Sequence, residues 1–409
     1  MIVLYDDAQA REFEPFATTR PISELRAGAL LGRERWALWF GRRVDACIAA
    51  PHLAHFAEFD APPMASLPLP AETWLVNARA LPVLGTATAD AADAIYVGSR
   101  VAAVRLRAPL STAALRDGTL ALESLVPIDA VVRSVDGVWL DAVWDIVRHL
   151  STQLVQDVPA FAAALGATPL PVSLLPHSPQ IIGEAPVYVE AGANVEPFTV
   201  FDTRSGPVLL RRGATVQAFT RIVGLCYIGC DTNVSGDRIA ASSIGDTCRV
   251  HGELSMSVFI GHANKGHDGF VGHSILGRWV NLGAGTITSN LKNTYGTVAM
   301  WTTAGAGNTG LQFAGTFFGD HVKTGIGMRL TTGCVLGAGT NVMDAMPPKA
   351  VAPFSWGTRA PYALFERDKF LETATRMMAR RQIELDARQR AHWESVYAHA
   401  IADHRWPTR

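Results

Sequence analysis

Lysine is scarce in this sequence. The chain of 409 residues carries 36 basic side chains, and only Lys265, Lys292, Lys323, Lys349 and Lys369 are lysines. Arginine serves wherever any cation will do, so a lysine marks a place where a compact point charge is wanted. Charge of one sign is also missing: the formal net charge is -1, and no basic run is present. That speaks against nucleic acid as a partner. No apolar run is long enough for a membrane span. The opening Met1-Ile2-Val3-Leu4-Tyr5-Asp6-Asp7 turns acidic at once, which is unlike a secretory leader. Cysteine is sparse and odd in number (Cys47, Cys226, Cys230, Cys248, Cys334), and no CxxC pair occurs. Unpaired thiols in a reducing cytoplasm are the expectation.

What is present divides the chain in two. Residues 1–168 read as a mixed α/β domain. Strands are expected at 2–5, 44–49 and 73–76, a strand or hairpin at 94–106, and helices within 21–40 and over 141–165. A proline-rich stretch, 169–179, reads as a linker. From about residue 180 to 357 the texture changes, and aliphatic residues recur every six positions. Leu210, Val216, Ile222, Ile228 and Val234 are five consecutive matches; Val189 with Val195, Ile244 with Val250, and Leu330, Leu336 with Val342 repeat the spacing. Six fits neither a helical face nor strand alternation. It fits the hexapeptide repeat, in which each unit forms one side of a triangular coil and its aliphatic residue points inward. The register breaks at 202–207, 262–269 and 292–319, where loops are expected. Residues 358–409 read as a charged C-terminal helix folded back over the end of the solenoid.

The chemistry concentrates between Asn264 and Asn293. This stretch holds His267 beside Asp268, the run Asn281-Leu282-Gly283-Ala284-Gly285, then Asn290 and Lys292. A base, amides, cations and a glycine-rich wall within about thirty residues suit acyl transfer to an amine, which must be neutral to attack. Imidazole takes a proton near pH 7, amide side chains and the backbone N–H near Ala284 can face a developing oxyanion, and Lys265, Lys292 and Arg249 suit a phosphate.

These residues resemble the acetyltransferase half of the bifunctional bacterial enzymes that make UDP-N-acetylglucosamine. The pattern is a His, an aromatic three residues on, a Gly, then Asn-x-Gly-Ala-Gly-Thr-Ile-Thr-x-Asn; here it falls on His267, Phe270, Gly272 and Asn281 through Asn290. The family usually has Tyr where Phe270 stands. A divergent branch of sugar nucleotidyltransferases is more similar still. It shares the segments at 264–270, 289–293, 309–313, 319–326 and 354–357, and, near the start, Thr19-Arg20-Pro21 and the run from Glu24 to Gly28. The resemblance implies a nucleotidyltransferase-like α/β domain, a left-handed parallel β-helix and a C-terminal α-helix, assembled as a cytoplasmic homotrimer in cell-wall precursor synthesis.

It implies acetyl-CoA as co-substrate, an amino-sugar phosphate and an NTP as small-molecule partners, and Mg2+ for nucleotidyl transfer. By resemblance His267 is the base, with Asp268 or a backbone carbonyl holding its tautomer. Asn281 and Asn290 share the catalytic role, while Lys265, Lys292, Arg249 and Phe270 hold the substrate. Ala284 and Lys323 meet acetyl-CoA, and Arg20, Arg26 and Asn77 meet the nucleotide. No resident metal ligand is assigned. The first domain lacks a glycine-rich loop after its first strand and contains no lysine, so an acetyltransferase with an inactive first domain is an alternative. Others are a zinc lyase of the γ-carbonic anhydrase type, since His262 and His267 are five apart with His273 following, and a non-enzymatic scaffold.

Overall fold

The computed structural model describes residues 1–65, 68–85, 92–171 and 177–408. The central residues of the expected linker, 172–176, lie outside the described residues. The chain forms two compact units, one made of residues 1–25, 30–145 and 384–402, the other of 26–29, 146–383 and 403–409.

The first unit is built on a mixed six-stranded sheet. Its order is Ala46–Ile48, Ile2–Tyr5, Trp74–Asn77, Arg100–Arg105, Ala94–Val97, Val132–Val135. The first three strands are parallel, and residues 94–105 form an antiparallel hairpin. Ile2, Leu4, Val76 and Ala103 line one buried face with Trp36 and Trp39, while Val3, Tyr5, Leu75 and Val104 line the other. Burial on both faces explains why these strands read as continuous apolar runs. The helix expected within 21–40 is confined to Gly32–Phe40. Pro21 and Gly28 hold the preceding residues in a 3-10 turn and a short hairpin, and Gly41, at φ 66°, ends the helix in the left-handed conformation.

The second unit is a parallel β-solenoid. One face is a ten-stranded sheet and the others are sheets of six, five and four strands, with a two-stranded piece at 287–288 and 329–330. Leu210, Val216, Ile222, Ile228, Val234, Ile244, Val250, Leu330, Leu336 and Val342 all sit in one buried ladder. The six-residue spacing thus becomes a continuous core, each side chain contributing roughly 1.5–3 kcal/mol of burial. The break over 292–319 is an excursion carrying the hairpin Ala299–Thr302 and Gly305–Asn308.

The Leu150–Leu165 helix belongs to this unit. Its Phe161 ring stacks on Tyr227 at 6.1 Å, and its Asp157 accepts the Ala29 N–H at 3.0 Å. Gly28 is confined to glycine there, because a Cβ would stand 2.0 Å from the Asp157 carboxylate and φ is +66°.

The C-terminal segment forms two helices where one was expected, Arg367–Ala379 and Ala387–Ala402. Gln382 at φ 59° breaks the run. Asp386 and Gln389 restart it by exchanging side-chain to backbone bonds in a capping box. The first helix packs Phe370 on Phe354 and His321 within the solenoid unit. The second belongs to the first unit, where Ser395 bonds the His52 carbonyl and His399 stacks on His52 at 3.7 Å. All five cysteines are buried and unpaired. Among the described residues no helix is long and apolar enough to cross a membrane.

Candidate active site

One position recurs up a solenoid face because each coil stacks in register on the last. Asn233, Arg249, Asn264, Asn281, Lys323 and Asn341 are successive partners on that line. Polar side chains at this outward position form a vertical rib. Beside it lies a hollow of about 670 Å3 lined by Asn233, Arg249, Asn264, His267, Asn281 and Lys323. His262 and Trp279 form another wall with rings 4.5 Å apart, and Arg376, Arg380 and Arg381 face the hollow from the C-terminal segment. His262, Trp279 and His321 take φ of 55°, 63° and 59°. Gly213, Asp231, Thr247 and Gly339 share that conformation at the same register position, so it is the corner of each coil.

Expected residues sort into three groups. His267, Arg249, Asn281 and Lys323 meet in this hollow. Asn281 accepts the Asn264 amide at 2.6 Å, and Arg249 donates to the Asp231 carbonyl at 3.0 Å. Lys323 reaches the His321 carbonyl at 3.1 Å, and burial pushes its pKa down to about 8. His267 also lines a neighbouring hollow of about 1210 Å3 together with Ala284, Gly285 and Ile326.

Lys265 stands apart as a buried support. It is 2 % exposed and occupies the inward position where the coil below has Val250. Its Nζ bonds the carbonyl of His251 at 2.7 Å and that of His267, so it anchors the backbone of the His267 loop. Burial lowers its pKa to about 8.

The third group lies elsewhere. Asn290 pairs its amide with His273 Nδ1 at 2.9 Å, and the His273 ring stacks on Phe313. Phe270 packs over Gly272 beside that amide and borders a separate small hollow with Arg221 and Glu253. Lys292 donates to the Thr297 carbonyl at 3.2 Å, at the excursion. Asp268 does not hold His267; it lies 2.9 Å from His251 Nε2. Two of the three histidines of the zinc alternative are engaged separately, His262 with Trp279 and Arg278, His273 with Asn290.

In the first unit, polar residues collect where Ile2–Tyr5 and Trp74–Asn77 end, the edge where ligands of parallel sheets bind. Asp7 takes two bonds from Arg79, Nε to Oδ1 at 2.9 Å and Nη2 to Oδ2 at 2.6 Å. Asn77 donates to Asp7 at 2.8 Å and accepts the Arg79 N–H at 3.0 Å. Asp141 accepts from Arg79 at 2.9 Å and from Arg100 at 2.7 Å. Burial raises Asp6 to about 7. Burial works against Asp7 ionising as well, but the Arg79 bonds and charge hold it below the usual carboxylate range. Arg20 is buried against Glu58 at 2.6 Å. Arg26 falls in the second unit, its guanidinium bonded to the Ala29 carbonyl and 4.9 Å from the Tyr227 ring centre.

Residues 2–164 match the family model described as sugar nucleotidyl transferase. Over 203 residues the chain is also 26% identical to the bifunctional protein GlmU of Carboxydothermus hydrogenoformans. That alignment covers 44% of this chain and 42% of the relative, so it spans less than half of either protein.

The strand ends of the first unit do not offer a Mg2+ a set of free oxygen ligands. That ion takes near-octahedral oxygen donors, whereas a guanidinium already stands among Asp7, Asn77 and Asp141. Asn77 stands at a strand end, and its oxygen is turned to the Arg79 N–H. Arg79, Asp7 and Asp141 were not singled out from the sequence, since nothing local joins them. The Arg376, Arg380 and Arg381 wall was missed for the same reason. Stacking register would have found Asn264, one coil below Asn281.

Proposed function

We propose that the chain is a transferase that moves an acetyl group from acetyl-CoA to the amine of an amino-sugar phosphate resembling glucosamine 1-phosphate. The observation that carries this reading is the meeting of His267 with Asn281, Arg249 and Lys323 in one hollow. His267 takes a proton from the attacking nitrogen as a C–N bond forms at the thioester carbon. The C–S bond breaks, and the departing thiolate recovers that proton. Asn281 orients the sugar or the carbonyl oxygen that becomes negative. Arg249 and the arginines of the C-terminal segment suit the sugar phosphate. Lys323 suits a phosphate of coenzyme A, and Ala284 lies in the adjoining, larger hollow. That hollow is bordered by Phe219 and Ile326, 77 % and 81 % exposed; a homotrimer would cover such faces. Asn290, Phe270 and Lys292 join only if a second subunit presents them.

The test is thiol release from acetyl-CoA across a panel of amino-sugar phosphates. His267→Ala is expected to lower the rate about 10²–10⁴-fold; an unchanged rate removes His267 as the base.

A second activity, nucleotidyl transfer giving a nucleotide sugar, is favoured by the family match over residues 2–164. It predicts pyrophosphate release from an NTP and a sugar phosphate. The arrangement around Arg79 gives no support for a Mg2+ step, and none is drawn.

A further inference from the structure

One cluster of metal-ligating side chains plays no part in the proposed transfer. Asp237, His251 and Asp268 come from three successive coils, and their ligand atoms all lie within 4.8 Å of one another. His251 Nε2 stands 2.9 Å from Asp268 Oδ1 and 3.8 Å from Asp237 Oδ2. The ring's other nitrogen, Nδ1, faces the carbonyl oxygen of Ser235 in a short contact.

Counting hydrogens gives the cluster its meaning. The Ser235 carbonyl can only accept, which favours the tautomer that carries its N–H on Nδ1. In a neutral ring that is the sole hydrogen, and Nε2 then points a lone pair at carboxylate oxygens, which also only accept. One imidazole nitrogen and two carboxylate oxygens thus converge on one point. A backbone carbonyl that fixes the ring's tautomer and aims its other nitrogen outward is the usual support of a metal-binding histidine. The separation to Asp268 suits an ion as it stands, while the 3.8 Å separation calls for the exposed Asp237 carboxylate to close in on binding. Two donors each ~2.1 Å from one ion lie about 3.0 Å apart at a right angle and about 3.4 Å at the tetrahedral angle. The neighbouring ammonium, Lys265, directs its Nζ to the carbonyls of His251 and His267 instead.

We propose that Asp237, His251 and Asp268 form a binding site for one first-row divalent cation. One imidazole with two carboxylates suits Mn2+, Co2+ or Zn2+ better than Mg2+, which prefers oxygen alone. Three protein ligands leave open positions. Those positions face the hollow shared with His267 on one side and the Arg221–Phe270 hollow on the other, so a water or an anionic oxygen of a ligand completes the shell. The site is independent of acetyl transfer, since His267 is not a ligand.

The full-length protein, with any purification tag removed and after dialysis against a chelator, is titrated with Mn2+, Co2+ and Zn2+ in turn by calorimetry. The visible absorption of Co2+ serves as a second readout. One ion per chain is expected. His251→Ala should weaken binding at least ~10–100-fold, and His267→Ala should leave it unchanged while lowering transfer about 10²–10⁴-fold. Circular dichroism shows whether H251A is folded; if it is not, Asp237→Asn, altering an exposed carboxylate, decides by the same measure. No uptake of any of the three ions, or undiminished uptake in the folded ligand variant, overturns the site and shows that the ring instead carries a second proton between its two acceptors.

Discussion

At the scale of single residues, the few lysines are informative. Two of the five, Lys265 and Lys323, are held with pKa values near 8 by burial, against an ordinary value of 10.5. For Lys323 the sign follows directly. The folded chain releases this proton near pH 8 and the unfolded chain only near ~10.4, so between those values the unfolded state binds more protons and stability rises with pH. Below pH 8 both states are charged and the burial cost is fully felt. The wild type is therefore expected to gain on the order of 1–3 kcal/mol more than Lys323→Met between pH 7.5 and 10.5, read from urea midpoints. Equal gains would show that Lys323 is solvated. The same residues show the reach of sequence reading. His267, Asn281 and Lys323 were legible because an ordered motif names them. The His251–Asp268 approach was not, because it joins residues on successive coils, and only register brings them together.

At the scale of elements, the solenoid was legible because its core follows a local rule, one inward aliphatic residue every six positions. The C-terminal segment obeys no such rule. Its apolar residues suggested one helix, yet Gln382 and the Asp386 cap divide it, and its first helix brings arginines toward the rib. Phe370, in the Arg367–Ala379 helix, carries that attachment; it is buried against Phe354, Phe365 and His321. Phe370→Ala should cost about 3–5 kcal/mol of stability, measured by chemical denaturation. It should also raise KM for the sugar phosphate more than it lowers kcat, because the helix bears Arg376 and leads to Arg380 and Arg381. A fall in kcat alone would mean that these arginines do not hold the phosphate.

At the scale of the molecule, the two units differ in how they manage charge. The solenoid leaves His267 exposed and sets the His251 ring 2.9 Å from the exposed Asp268 carboxylate. The first unit satisfies its carboxylates internally: Arg79 bonds Asp7 and Asp141, and Asn77 completes the set. An internal guanidinium cannot leave as a dissolved cation can, so the strand ends are expected to be insensitive to added Mg2+. Breaking the pair strands a carboxylate that is only 17% exposed, and Arg79→Met should cost about 3 kcal/mol. Asp7→Asn in the same background should recover part of that loss, because it removes the stranded charge. If instead the wild type releases pyrophosphate from an NTP and a sugar phosphate in proportion to added Mg2+, Arg79 must swing away from Asp7 when substrates bind, and the pair is a latch on that unit instead of a permanent substitute for the ion.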